Sequence, residues 1–412
     1  MRIAVIGGGV SGLVAASLLA RRHAVTLFEA GPRLGGHANT VPVSMHGTVY
    51  PVDTGFVVFN HQTYPRFTRL LERLGVASQP TTMSFSVRCE RTGLEYNGTS
   101  FNSLFAQRRN LLRPSFHRML RDILAFNRDG PAQADRMRGA SVGDFLAAQA
   151  YGDEFSRHYL VPMGAAIWSC PSRSFLRFPI AFVMRFLANH GLLQVHGRPV
   201  WHVVRGGSAR YVAALADSMR ADVRVNAAVT GIARTAEGVT VSTRDERLTF
   251  DEAVLACHAD QALALVRDAD EVERGLLRSF PYQANEAVLH TDTSVLPRAP
   301  RAWAAWNYRI PSADAPDVTV TYNMNILQRL EAPAVCCVSL NANGAIAPRS
   351  VIARFDYHHP VFTAARDLAQ PRHGEMIRRA RLSYCGAYWG YGFHEDGVNS
   401  AAAVGAAFGE EI

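Results

Sequence analysis

The chain has 412 residues, 48% hydrophobic and 19% charged, a globular mixture whose length calls for two interlocked domains. All 43 basic residues are arginine, and the absence of lysine excludes Schiff-base chemistry and a lysine-bearing phosphate loop. The formal charge of +8 is scattered without a zinc-finger or RNA-recognition signature, so nucleic acid is not an expected partner.

Residues 2–6 form an apolar run of strand length, without a basic leader or a cleavable apolar core. No apolar stretch is long enough to span a bilayer, so a cytoplasmic chain is expected. Gly7-Gly8-Gly9-Val10-Ser11-Gly12 follows at once and satisfies GxGxxG. Residues 13–20 then read as a helix, and residues 23–28 as a second strand ending at Glu29. A dinucleotide requires this order. Gly7 permits the tight turn, Gly9 lets backbone approach a pyrophosphate, and Gly12 lets the helix pack close to the strand. The helix start at Ser11 offers N–H groups and a positive dipole end to phosphate. Glu29 stands where a carboxylate bonds ribose hydroxyls, which argues against a 2′-phosphate. These residues alone admit NAD or FAD.

Glu29-Ala30-Gly31-Pro32-Arg33-Leu34-Gly35-Gly36-His37 resembles the extended fingerprint of the flavin amine oxidase, protoporphyrinogen oxidase and phytoene desaturase superfamily. There the second glycine pair lies along the pyrophosphate and flavin. The resemblance therefore implies FAD, with Ala30, Arg33, Gly35, Gly36 and His37 beside it. Relatives usually carry Arg where this chain has His37. Val52-Asp53-Thr54-Gly55-Phe56 resembles the loop that brings backbone to the flavin ring, implying contacts from Thr54, Gly55 and Phe56.

Residues 104–126 mix Leu111, Leu112, Phe116 and Met119 with Arg108, Arg109, Arg113 and Arg118. The pattern predicts a basic amphipathic helix, either lying on an anionic membrane as a peripheral contact or packed in a substrate domain. The apolar residues 178–193 are expected to form a lipid-access wall or a core helix. Val204-Arg205-Gly206-Gly207-Ser208 resembles the return into the cofactor domain. The strand-rich block at 223–229, 238–241 and 250–257 resembles the one covering the adenine, with backbone at Val229 touching it.

Amine oxidases of this superfamily place a lysine, through water, at the flavin N5. The matching strand here is residues 283–290, where Asn285 or Glu286 stands instead, which favours a desaturase or dehydrogenase over a fast oxidase. Trp303, Trp306, Tyr308 and Tyr322, with Met324 and Asn325, are expected either to line an apolar pocket or to pack as core.

Gly392-Phe393-His394-Glu395-Asp396-Gly397-Val398 resembles the superfamily's final turn into a helix aimed at the flavin. That implies contacts from Gly392, Glu395 and Asp396 and from the backbone N–H groups of Gly397 and Val398, with Gly386 upstream. Phe393 falls where amine oxidases carry an aromatic over the flavin face. The acid–base candidates are His394, His290, Tyr322 and Glu395, His394 foremost because it adjoins Phe393. The six cysteines show no CxxC and no metal spacing, so no metal is expected. Cys385 lies too close to the cofactor turn to match the flavin-linking cysteine of some relatives, so FAD is expected to be non-covalent.

The segments in order imply an α/β fold with an α+β substrate domain. A Rossmann-like FAD-binding domain at 1–78, 200–268 and 375–412 interleaves with a substrate-binding domain at 79–199 and 269–374. Segments at 36–40, 83–87, 289–293, 302–308 and 385–389 are similar to a subgroup of predicted NAD/FAD-binding proteins associated with cyclopropane-fatty-acid-synthase-type lipid methyltransferases. The resemblance implies an FAD-dependent desaturase or dehydrogenase of a fatty-acyl or related lipid substrate, with a lipid methyltransferase in the same pathway. A flavin amine oxidase and a non-catalytic FAD-binding protein are the alternatives.

Overall fold

The computed structural model describes residues 1–194, 197–312, 319–342 and 344–412. The apolar run at the N-terminus becomes strand Arg2–Ile6, in the middle of a five-stranded parallel sheet. Across that sheet the order is Asp222–Arg224, Ala24–Phe28, Arg2–Ile6, Glu252–Leu255 and Leu382–Tyr384. Parallel strands buried on both faces read as continuous apolar segments rather than alternating ones. One face packs on the helices Val10–Leu19, Ala209–Ser218 and His394–Ala407 through Leu13, Ala16, Leu215, Val398 and Ala401. The other face is closed by Val239, Val241, Phe250, Leu277 and Phe280.

The strand expected over 223–229 stops at Arg224. The Ala227 N–H turns to the Glu29 carbonyl at 2.9 Å, and Asn226 adopts a φ of 54°. Beyond it, Gly231–Arg234, Val239–Ser242 and Arg247–Phe250 form an antiparallel meander.

A second sheet has seven strands in the order Val351–Pro360, Tyr282–His290, Cys337–Leu340, Thr319–Asn323, Trp306–Ile310, Phe85–Cys89 and Leu94–Asn97. Its pairs are antiparallel except Trp306–Ile310 with Phe85–Cys89.

The helix expected over 104–126 is broken into Phe101–Leu104, a 3-10 turn Arg108–Leu112, and Pro114–Arg136. Pro114 holds Arg113 in extended backbone (φ −95°, ψ 106°), and the long helix restarts with proline at its first position. Its apolar stripe, Phe116, Met119 and Phe126, is buried in the core rather than turned outward, which corrects the membrane-facing expectation for that helix. Ile180–Asn189 is likewise core: Phe182, Val183 and Phe186 are buried among Trp168, Phe178 and Phe362. It therefore forms no lipid-access wall. No helix among the described residues is long and apolar enough to cross a membrane.

Candidate active site

The site begins where Arg2–Ile6 ends. Gly7 takes a φ of +107°, a conformation side chains rarely adopt, and its N–H donates to the Phe28 carbonyl at 2.8 Å. A Cβ at Gly12 would overlap the Gly7 carbonyl oxygen, so only glycine lets the helix sit this close to the turn. Helix Val10–Leu19 has Gly9 as its N-cap, with no side chain capping it and no acid in its first turn. The first N–H groups of a helix have no partner within it. Those of Val10, Ser11 and Gly12 are thus left for an anion.

Glu29 completes the turn. Its Oε2 accepts the Gly8 N–H and its Oε1 the Gly31 N–H, both at 2.7 Å. Two oxygens that each accept one bond retain lone pairs for ribose hydroxyls. The Gly35 N–H donates to the Gly8 carbonyl at 2.8 Å, which locks the second glycine pair onto the first turn. Arg33 braces this loop through the carbonyls of Leu34, Gly36 and Ala38. The cradle fits a dinucleotide: bare N–H groups, a carboxylate, and backbone with no side chain in the way.

The cradle opens into a cavity of about 880 Å³. Gly7, Gly9, Ser11, Glu29, Ala30, Arg33, Gly35, Gly36, His37, Thr54, Gly55, Phe56, Val229, Gly386, Gly392, Phe393, His394 and Tyr322 all line it. Sequence positions from four separate parts of the chain thereby meet on one surface. Gly55 is required there because a Cβ would overlap the His37 carbonyl oxygen. The facing wall comes from the seven-stranded sheet, with Trp306, Tyr322, Val338, Leu340, Tyr357 and His359, and from the short helix Met324–Leu327, with Met324.

Other expected positions fall elsewhere. His290 is fully buried outside this lining: its Nε2 pairs with Ser339 Oγ at 2.8 Å and its Nδ1 with the Asp292 N–H at 3.1 Å. It is a satisfied core histidine, not a catalytic one. Glu395 turns away from the cavity and accepts the N–H groups of Arg66 and Phe67, both at 2.9 Å, capping helix Pro65–Arg73. Asp396 accepts the Phe393 N–H at 2.9 Å and so caps its own helix.

Gly397 and Val398 are also corrected as flavin contacts. The helix starts at His394, so the Gly397 N–H already donates to Phe393 at 3.2 Å, and Val398 is core. Gly397 serves packing instead, because a Cβ would press on Val10 and Ser11 of the first helix. Trp303 donates to the Pro297 carbonyl and Tyr308 pairs with Ser172, so both are structural. Cys385 is buried in the core, and all six cysteines are free thiols.

His394 lines the cavity but is not poised as a base. Its Nε2 meets the Tyr211 hydroxyl at 2.6 Å, and its ring lies on Phe56 at 3.5 Å and 7°. Burial pushes its pKa down to about 3. Tyr322 packs edge-on against Trp306, and burial pushes its phenol up to about 12.

The sequence reading missed a histidine cluster. His37 stacks on Tyr357 at 4.8 Å and lies 5.3 Å from His359 and 6.1 Å from His258, ring centre to ring centre. Tyr357 is held by Thr54 and Asn39 through its hydroxyl at 2.9 and 3.0 Å. Burial pushes His258 and His359 down to about 4 and His37 well below its ordinary value. The signal available in sequence was the pair His358-His359 before Pro360 on a strand, which has no motif value by itself.

The chain matches the family described as Flavin containing amine oxidoreductase over residues 10–300. AofH of Mycobacterium tuberculosis, which carries the name of a flavin-containing monoamine oxidase, is 28% identical over 253 residues, 58% of this chain and 53% of that protein. The chain thus spans about half the length of that curated relative. Cyclohexylamine oxidase from Brevibacterium oxydans superposes with a TM-score of 0.70 at 15% identity over 99% of both chains. A fatty acid isomerase from P. acnes that produces CLA superposes with a TM-score of 0.69 at 16% identity, covering 99% of this chain and 98% of its own. These likenesses establish the fold. With the nucleotide cradle and the family match together, the chain belongs to the flavin-containing amine oxidoreductase family and uses FAD as its cofactor.

Proposed function

We propose that this FAD-dependent oxidoreductase is a desaturase or dehydrogenase acting on a fatty-acyl or related lipid chain. The observation that carries the reading is the apolar wall facing the cradle: Ile167, Trp168, Trp306, Met324, Val338 and Leu340. FAD supplies the two-electron acceptor for removal of hydride from carbon. The chain supplies a dry pocket and orientation.

A cationic amine is held best by a free anionic partner, and two of the three acids lining this cavity are committed elsewhere. Glu29 holds two backbone N–H groups, and Asp53 is held by Thr40, Ser208 and Gln328. The third, Asp356, reaches the cavity lining from an exposed strand position next to Tyr357. No lysine exists to stand at the flavin. Amine oxidation is the second reading, favoured by the match to AofH.

The route to lipid is read from a corner of the surface. Phe101 and Leu112 are 70% and 88% exposed, beside Arg108 and Arg109. Apolar tips among arginines suit an anionic bilayer. A lipid methyltransferase acting on the same acyl chain is the pathway partner that this reading implies.

Anaerobic titration of the FAD-loaded protein is the test. Bleaching of the flavin band by oleoyl phospholipid or oleate, and not by benzylamine, is expected. Bleaching by benzylamine alone replaces the first reading with the second, and bleaching by neither points to a non-catalytic FAD-binding protein.

A further inference from the structure

Asn285 lies on the strand Tyr282–His290 and is not among the residues lining the cavity. Its Nδ2 donates to the Gln283 carbonyl at 3.3 Å and to His359 Nδ1 at 2.8 Å. Its Oδ1 accepts from Asn341 Nδ2 at 2.7 Å. Asn341 is oriented in turn, because its Oδ1 accepts the Glu286 N–H at 3.1 Å. Main-chain groups therefore anchor the relay at both ends. A backbone N–H can only donate and a backbone carbonyl can only accept, so both amides have one permitted orientation. Asn285 then offers a hydrogen to His359 Nδ1, which must be the lone-pair nitrogen. The proton of the neutral ring belongs on Nε2.

That nitrogen is the one left over. His359 lines the cavity, its Nδ1 edge is taken by Asn285, and Nε2 has no partner among the described residues. Nor is it among the sealed, unpartnered polar atoms, a group that does include His37 Nε2. It therefore opens on the cavity.

We propose that His359 is a binding residue of the active site, held by Asn285 and Asn341 as a neutral hydrogen-bond donor from Nε2 to an acceptor atom of the ligand. The acceptor is a carbonyl oxygen or ring nitrogen at the edge of the flavin, or an oxygen of the substrate head group. Asn285 and Asn341 are positioning residues. Burial, which depresses the His359 pKa to about 4, keeps the ring neutral under ordinary conditions. The head-group alternative rests on the acyl-chain reading of the site, whereas the flavin-edge alternative rests on the FAD site alone. Reduction of the flavin by amines would leave the latter standing.

The test uses FAD-loaded protein labelled with ¹⁵N-histidine, the His359 resonances being assigned by their loss in His359→Leu. Wild type should show a protonated Nε2 and an unprotonated Nδ1 from pH 6 to 8; the opposite tautomer, or an imidazolium, overturns the proposal. His359→Gln, which keeps a donor, and His359→Leu, which does not, are then compared in three readouts: FAD dissociation, the potential of the bound flavin, and the spectral shift induced by oleate.

His359→Leu should weaken at least one binding equilibrium by roughly fivefold or more, with His359→Gln closer to wild type. A difference seen with FAD alone names the flavin edge as the acceptor, and one confined to oleate names the substrate oxygen. Identical behaviour of the two variants in all three readouts overturns the donor role. Asn285→Asp should move the ring proton to Nδ1 and mimic the leucine variant. Should that variant fail to fold, the Gln and Leu pair and the tautomer decide alone.

Discussion

Gly12 and Glu29 carry the nucleotide turn by opposite means, one by having no side chain and one by having a charged one. Gly12→Ala sets a methyl into the Gly7 carbonyl oxygen. The helix must move off the strand, at about 1–3 kcal/mol. The expected result is a lowered Tm together with colourless protein after purification, and a yellow, fully stable variant would refute the argument. Glu29→Gln is isosteric, but its amide nitrogen cannot accept the N–H of Gly8 or Gly31. One backbone donor loses its acceptor, at about 1–3 kcal/mol. FAD affinity should fall at least tenfold, measured by the rise in flavin fluorescence on dilution. Both residues were readable from sequence because the turn is local: strand, glycines, helix and acid follow each other without a break. His394 was readable as a neighbour of the cofactor turn but not as a spent nitrogen. Its partner Tyr211 arrives from a different helix.

At the level of elements, the last helix and the second are clamped by one carboxylate. Helix Pro65–Arg73 has no side-chain cap of its own, and Glu395 supplies it across the fold. Glu395→Ala should cost about 1–2 kcal/mol. The loss should appear in thermal melts of protein without FAD, with the flavin spectrum of loaded protein unchanged. A changed spectrum with unchanged Tm would put Glu395 back at the cofactor. Pattern reading placed this acid at the flavin because the segment resembles a turn that meets it. Which residues of that turn face inward depends on where the helix begins, a matter of cap geometry.

The segment before Pro114 makes the same point. Hydrophobic periodicity ran through residues 104–126, but proline divides it and the core takes the apolar stripe. What stays most exposed is the corner at Phe101 and Leu112, with Leu111 and Leu124 less so. Leu112→Glu with Phe101→Glu should reduce co-sedimentation with anionic vesicles at least fivefold at a small cost in Tm, since Leu112 is almost fully exposed and Phe101 keeps only its ring contact with Phe105. Undiminished co-sedimentation would remove this corner as the membrane contact.

Across the whole molecule, buried neutral histidines set the acid limit of stability. Burial lowers His190, His258 and His359 to about 4 and His394 to about 3, against an ordinary value of 6.5. Between those values the unfolded chain binds protons that the folded chain refuses. Stability from these groups is therefore complete above pH 6.5 and is lost as pH falls toward 4, by at most about 1.4 kcal/mol per pH unit for each group. The Tm of the protein should fall steadily from pH 6.5 to 4.5, and a flat profile would show that these rings titrate freely. This steepness is a property of the assembled fold, because the four rings are contributed by distant segments.

The resemblance of residues 29–37 to the flavin superfamily implied FAD, and the amino-acid sequence by itself determined the first strand pair and the dinucleotide turn between its strands. Those features rest on contiguous residues whose spacing is set by backbone sterics and by the N–H groups of one helix end. Only the tertiary structure decided the far wall of the site. There His359 meets His37 of the glycine-pair loop and, through it, His258 beyond strand Glu252–Leu255, and Asn285 reaches the ligand through His359. Long-range strand pairing brings such residues together: Tyr282–His290 lies against Val351–Pro360, and that pairing sets Gln283 opposite His359 and Asn285 opposite Tyr357. A one-residue slip would turn each of those side chains to the other face of the sheet. Register of that kind is written in the packing of the whole molecule and not in any short stretch of it.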